Sequence, residues 1–171
     1  GACRSACPVD AITLVFGTSR RGVDIPVLSP RFEATVPGIF IAGELGGMGL
    51  IRNALTQGRQ AVDAIHRDRP GARRDDELDL LIVGSGPAGF AASLTARAHG
   101  MKFVTVEQDS LGGAVFQYPR AKLVMTSPVT LPIIGKLNFG QTSKEALLEV
   151  WEAAGRKAGL AIRYRERVES I

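Results

Sequence analysis

Cysteine is almost missing from this chain: its 171 residues contain two, Cys3 and Cys7. That excludes the disulfide framework that staples small secreted domains, and a reducing, cytoplasmic setting is the default expectation. Charge of one sign is also scarce. Lys and Arg number 21 against 17 Asp and Glu, a net +4, which without a clustered patch argues for neither nucleic acid nor a membrane surface as partner. Long apolar runs are lacking too. The longest stretch without a charge, Leu80 to Ala96, is broken by Gly84, Ser85, Gly86, Pro87 and Gly89 and falls short of the roughly 20 residues of a bilayer span. No basic-then-apolar signal opens the sequence. With 22% charged and 45% hydrophobic residues, the composition is globular and excludes disorder, collagen and coiled coil. The sequence starts at Gly1 and ends in the strand-like stretch 168–171, so an excerpt of something larger is expected.

Punctuation and period divide what is present. Gly22, Pro26, Pro30 and Pro37 mark residues 20–37 as connecting chain. Gly38-Ile39-Phe40-Ile41-Ala42-Gly43 reads as a short buried strand over 39–42, followed by a glycine-rich turn. Apolar or small residues at Leu50, Ile51, Ala54, Leu55, Gly58, Ala61, Val62 and Ile65 then predict a helix over 50–65. Residues 66–77 carry both charges and a Pro-Gly pair, and read as a solvated linker that includes His66. A strand over 78–83, a turn over 84–89, an alanine-rich helix over 88–99 stopped by Gly100, and a strand over 101–107 follow. Residues 109–140 read as loops with short strand pieces. Thr142 and Glu145 suggest a capping box before a helix that Gly159 ends, and strands are expected over 160–164 and 168–171. The alternation of strand and helix points to an α/β protein with a parallel sheet.

One turn carries specific chemistry. Gly84-Ser85-Gly86-Pro87-Ala88-Gly89 is G-x-G-x-x-G between an apolar strand and a helix. Gly84 suits the tight turn, Gly86 lets a pyrophosphate approach the backbone, and Gly89 lets the helix pack closely on the strand. Unpaired N–H groups at the helix start would face the phosphates. Glu107 follows Gly84 by 23 positions, near the ~20 expected of a carboxylate that accepts ribose hydroxyls. Such an acid repels a 2′-phosphate, which favours FAD or NAD over NADP. The bland alternative is an ordinary strand-turn-helix turn.

The stretch LDLLIVGSGPAGFAASLTARAHGMKFVTVEQDSLGG resembles the opening of a flavin-dependent pyridine nucleotide oxidoreductase of the thioredoxin reductase-like group. The resemblance implies a Rossmann-like FAD/NAD(P)-binding fold, incomplete here, in which Glu107 holds the adenosine ribose, Gln108 is a further cofactor-binding residue and Gly112-Gly113 passes close to the cofactor. Related disulfide reductases carry a C-x4-C pair after such a Gly-Gly; this chain has Ala114-Val115-Phe116-Gln117-Tyr118-Pro119, so no dithiol chemistry is expected there. Thr35-Val36-Pro37-Gly38-Ile39-Phe40-Ile41-Ala42-Gly43-Glu44 resembles the family's other flavin motif, which normally comes near the end of the chain and finishes in Gly-Asp. The resemblance places Gly43, Glu44 and Met48 at the flavin side. Two arrangements are open. Strand 39–42, helix 50–65 and strand 79–83 form one βαβ unit with parallel neighbouring strands, or the first motif completes a different flavin domain upstream.

Cys3-Arg4-Ser5-Ala6-Cys7-Pro8 is similar to the end of a bacterial ferredoxin cluster run. It implies Cys3 and Cys7 as metal ligands and a 4Fe-4S cluster in the parent protein only, since two thiolates cannot complete a four-cysteine site; two incidental thiols are the alternative. The expected organisation is a ferredoxin-like remnant over 1–14, the displaced flavin motif over 15–65, a linker over 66–78 and the start of an FAD/NAD(P)-binding domain over 79–171. The expected activity passes electrons between a nicotinamide co-substrate, NAD(P)H, and an iron–sulfur centre or other acceptor, a protein among them. A dinucleotide-binding or electron-transfer module without turnover is the alternative. No residue reads as a general acid or base. Trp151 is assigned to the core, His99 to a helix end, and Arg163, Arg165 and Arg167 to a solvated strand face, with an anionic ligand as the alternative.

Overall fold

The computed structural model describes residues 25–46, 49–68, 76–138 and 140–171. Among the described residues three α-helices, α1 (Ile51–Arg67), α2 (Pro87–Ala98) and α3 (Lys144–Lys157), accompany seven short strands: β1 (Leu80–Val83), β2 (Phe103–Glu107), β3 (Leu123–Thr126), β4 (Val129–Leu131), β5 (Gly135–Leu137), β6 (Gly140–Ser143) and β7 (Ile162–Tyr164). The main sheet is three-stranded in the order β1-β2-β7, parallel throughout. Two antiparallel pairs, β3-β6 and β4-β5, lie in the connection from β2 to α3. The α/β expectation and its parallel sheet are both met.

The sheet is built around α2. Ile82 of β1 is buried in one cluster with Ala92 and Ala96 of α2, Met101, and Val62 of α1. Small residues let α2 be enclosed along most of its length, from Phe90 to Ala96. Its two central hydroxyls are satisfied: Ser93 Oγ donates to the Gly89 carbonyl at 2.7 Å and lies 2.8 Å from Thr105 Oγ1, and Thr95 Oγ1 donates to the Ala91 carbonyl at 2.8 Å. Such pairing is what allows polar side chains in a buried helix. The Met101 and Gly100 N–H groups close back on the Ala96 and Arg97 carbonyls, a Schellman ending, and Gly159 with Leu160 ends α3 in the same way. Trp151 of α3 is fully buried against Phe90, ring centroids 5.7 Å apart, as expected of a core residue.

Several local expectations are corrected. Residues 39–42 do not form a strand of the main sheet. The Ile41 N–H donates to Phe32, the Ala34 N–H donates to Ile39, and Phe40 makes an isolated bridge with Glu33. Those hydrogen bonds go to a local turn, so the parallel pairing of 39–42 with 79–83 is not formed, and among the described residues β1 pairs only with β2. Phe40 and Ala42 instead face β1 across a gap of about 110 Å3. The α3 cap is Ser143, whose Oγ accepts the Ala146 N–H at 3.1 Å. Thr142 is committed to β6, paired with Val124, and Glu145 accepts from the Ala121 N–H. Residues 168–171 are not a strand. His66 sits in the last turn of α1 rather than in a linker, stacked on His99 at 4.1 Å, while His99 Nε2 meets Asp63 at 2.8 Å.

Helix α1 docks on α2 through a glycine. A Cβ at Gly58 would overlap the carbonyl oxygen of Ala88, so backbone meets backbone there. Gly58→Ala must push the helices apart. We expect a loss of about 1–3 kcal/mol by chemical denaturation, the usual range for overpacking, whereas Gln60→Ala on the exposed side of α1 changes stability by less than about 0.5 kcal/mol.

Candidate functional site

The turn between β1 and α2 is shaped by its glycines. Gly84 has φ +94° with open space around its absent Cβ, so conformation rather than crowding calls for glycine. Crowding decides at Gly89, where a Cβ would overlap the Gly84 carbonyl oxygen. Gly86 is the N-cap of α2, no side chain caps the helix, and Pro87 occupies its first turn. The Ala88 and Gly89 N–H groups therefore lack intrahelical acceptors, and the helix dipole adds positive character at the same place. Gly112-Gly113 closes over this turn. The Gly112 N–H donates to the Ser85 carbonyl at 3.0 Å, and a Cβ at Gly113 would come 3.1 Å from the Gly86 Cα.

Glu107, at the end of β2, is turned into the bend. Its Oε2 accepts from the Ser85 N–H at 2.7 Å and from the Ser85 hydroxyl at 3.1 Å, and its Oε1 accepts from the Asp109 N–H at 3.0 Å. Ser85 is fully buried and Glu107 is 5% exposed. Of the roughly four lone-pair sites on a carboxylate, these bonds use three, and Oε1 retains room for a further donor. Glu107, Gln108, Gly84, Gly86, Gly113 and Arg167 line one cavity of about 410 Å3. Arg167 is exposed and lies beyond β7 rather than on a strand, at the border of this cavity.

A second cleft, of about 230 Å3, adjoins the same glycines. Gly43, Glu44 and the α1 start form one wall, and Gly84 and Gly86 to Gly89 with Ala114, Val115 and Tyr118 form the other. Gln57 of α1 fixes the first wall, its Oε1 accepting the Gly43 N–H at 2.8 Å. Glu44 is exposed and folds over Gly49, where a Cβ would lie 2.6 Å from its Oε1. The structure thus brings Gly43 and Glu44 to the fingerprint turn without a strand ladder between them. Met48 lies outside the described residues, as do Cys3, Cys7 and the whole of 1–24. Sequence reading missed Gln57 and Lys144. Neither belongs to a spaced motif, and Gln57 sits on a helix whose apolar period alone was informative.

A further cavity, of about 750 Å3, lies between α3, β7 and the loop after Glu107. Burial, with Glu152 and Glu107 nearby, pushes the Tyr164 phenol in its wall above the ordinary value. Its size alone does not connect it to the glycine turn.

Residues 79–117 match the FAD binding domain family. The chain is 30% identical over 96 residues to a dihydrolipoyl dehydrogenase of Chlorobaculum parvum, a match covering 54% of this chain and 20% of that protein. It is 33% identical over 81 residues to a component of the alkyl hydroperoxide reductase of Pseudomonas aeruginosa, covering 47% and 15%. A mercuric reductase of Staphylococcus aureus is 48% identical over 40 residues, covering 23% and 7%. The chain therefore spans a fifth or less of each of these relatives. Among solved structures, bacillithiol disulfide reductase of S. aureus superposes with a TM-score of 0.46 at 16% identity, over 51% of this chain and 28% of that one.

Glu107→Ala leaves two backbone N–H groups and a buried hydroxyl without their acceptor. Each orphaned buried group costs about 1–3 kcal/mol. The expected result, read by denaturant titration, is a destabilisation larger than that of Ser85→Ala, which removes only the hydroxyl.

Proposed function

We propose that this chain is the FAD-holding part of a flavin-dependent oxidoreductase. The observation that carries the reading is the Ser85–Glu107 arrangement: a glycine turn with free helix-start N–H groups on one side, and an almost buried carboxylate with acceptor capacity to spare on the other. A match to the FAD binding domain over 79–117 supports it. In this reading Gly84 to Gly89 hold the pyrophosphate, with the Ala88 and Gly89 N–H groups as donors. Glu107 takes a ribose hydroxyl and, being acidic, disfavours a 2′-phosphate, while Gln108 and Arg167 border the adenosine end. Gly112-Gly113 keeps the backbone low so that the cofactor can cross, and Gly43 and Glu44 stand at the flavin end, bringing both motifs to one site. FAD supplies the redox step, accepting a hydride and releasing electrons in ones or twos; the protein's share is to bind, orient and shield.

The nicotinamide co-substrate rests on the kinship of the matched relatives. Electron exchange with an iron–sulfur centre rests on the Cys3 and Cys7 pattern alone. The chain's cysteines are confined to those two positions, so no thiol follows Gly112-Gly113, and an acceptor other than a local disulfide is expected. Among the described residues no helix is long and apolar enough to cross a membrane.

The test is equilibrium binding. The chain is expected to take up FAD with the visible flavin bands. Gly86→Val, which puts a branched side chain under the Gly112-Gly113 backbone, and Glu107→Gln, which replaces an acceptor by a donor, should each weaken uptake by at least about tenfold, the equivalent of roughly 1.4 kcal/mol. FAD affinity indifferent to both substitutions would refute the assignment. Bleaching of the bound flavin by NADH or NADPH tests the nicotinamide step separately.

A further inference from the structure

The cleft that joins the two glycine segments is lined almost wholly by glycine, alanine, proline and aliphatic residues. Its one charged side chain is Glu44 and its one aromatic ring is Tyr118. The loop that presents this ring, 114–119, is held from behind. Lys144 Nζ donates to the Tyr118 carbonyl at 2.7 Å and to the Phe116 carbonyl at 3.2 Å. The Lys144 side chain is only 13% exposed, and bonds from an ammonium are about twice as strong as neutral ones. The Lys144 backbone N–H donates to the Lys122 carbonyl at 3.0 Å, and the Tyr118 N–H donates to Val115 at 3.2 Å. Finally, the Lys122 ammonium lies 4.3 Å from the centroid of the Tyr118 ring, within cation–π range. An ammonium clamp on the backbone and a cation on the ring together fix one phenol at the edge of the cleft.

We propose that Tyr118 is the residue this chain presents to the redox end of bound FAD, and that Lys144 is the positioning residue that holds it there. The inference rests on the FAD reading above and deepens it: it assigns a role to a stretch without cysteine. An electron-rich phenol in contact with a flavin quenches its fluorescence, which gives a readout independent of turnover. The chain has two tyrosines, Tyr118 and Tyr164. Tyr164 lines the separate large cavity, and Trp151 is buried in the core, so the source of quenching is separable.

The experiment loads the 171-residue chain with FAD and compares the fluorescence of bound and free flavin. Wild type is expected to be strongly quenched. Tyr118→Leu should raise the emission several-fold, and Tyr118→Phe, which keeps the packing and loses the phenol, should raise it as well. Lys144→Met should raise emission and weaken FAD binding, whereas Tyr164→Leu should leave emission unchanged. Quenching that survives both Tyr118 substitutions, or that is relieved by Tyr164→Leu instead, overturns the proposal while leaving FAD binding standing. Failure of the wild-type chain to take up FAD at all overturns the underlying reading, and the proposal with it.

Discussion

The bond from the Ser85 N–H to the Glu107 carboxylate sets the geometry on which the site depends. A glycine turn that buries its own backbone needs an acceptor for the N–H groups it removes from water, because an orphaned donor is costly in that setting. The chain supplies that acceptor from the end of the neighbouring strand. It can do so because β1 and β2 run parallel in a fixed register, Val83 opposite Val106, which brings the residue after Val106 level with the turn. The Gly84 N–H donates to the Val106 carbonyl at 2.8 Å, and the Glu166 N–H donates to the Glu107 carbonyl at 3.1 Å. Glu107 is thus held through its backbone as well as its carboxylate. The same group that stabilises the turn has acceptor capacity left for a ligand, so in the reading proposed above structural and binding roles would coincide in one side chain.

Close approach is the second constraint, and small residues provide it. Gly58 meets Ala88, Gly89 meets Gly84, and Gly43 approaches Ala88 closely enough that a Cβ would lie 3.1 Å from the alanine methyl. These contacts converge on the first turn of α2. That helix is consequently surrounded: the sheet lies on one side, α1 crosses it at Ala88, and α3 packs through Trp151 on Phe90. A helix enclosed this way cannot show a strong amphipathic period, and its alanine-rich sequence shows little of one.

What was legible in the sequence follows from the range of the forces involved. The turn, its acid, the α1 stripe and the glycine stops of α2 and α3 are set by local backbone geometry or by helical period, and each could be read from spacing. The spacing places the cap of α3 one residue early, because Thr142 and Ser143 are both competent caps and only the β6 pairing, a tertiary contact, decides between them. Residues 39–42 misled for a similar reason. An apolar run flanked by glycines suits a buried strand, yet its hydrogen bonds are taken by residues 32–34, brought near by a turn whose competition leaves no mark in hydropathy. The clamp of Lys144 on the 116–118 carbonyls spans more than 25 positions and has no local signature.

The missing strand pairing bears on how the cleft holds together. A ladder between 39–42 and β1 would fix the Gly43–Glu44 wall rigidly against the 84–89 wall. Here that wall is tied by the docking of α1 on α2 and by a bond from the Gly43 N–H to Gln57, whereas the 84–89 turn is anchored by several buried bonds. Protein segments open locally in order of their own stability, so Gly43 and Glu44 are expected to loosen before 84–89. A ligand that spans both walls is bound only when the two are closed together, and its binding free energy adds to the docking of the first segment on the second by mass action. The cofactor would then serve as a mechanical link as well as a redox group, contributing the cohesion that a strand ladder contributes elsewhere.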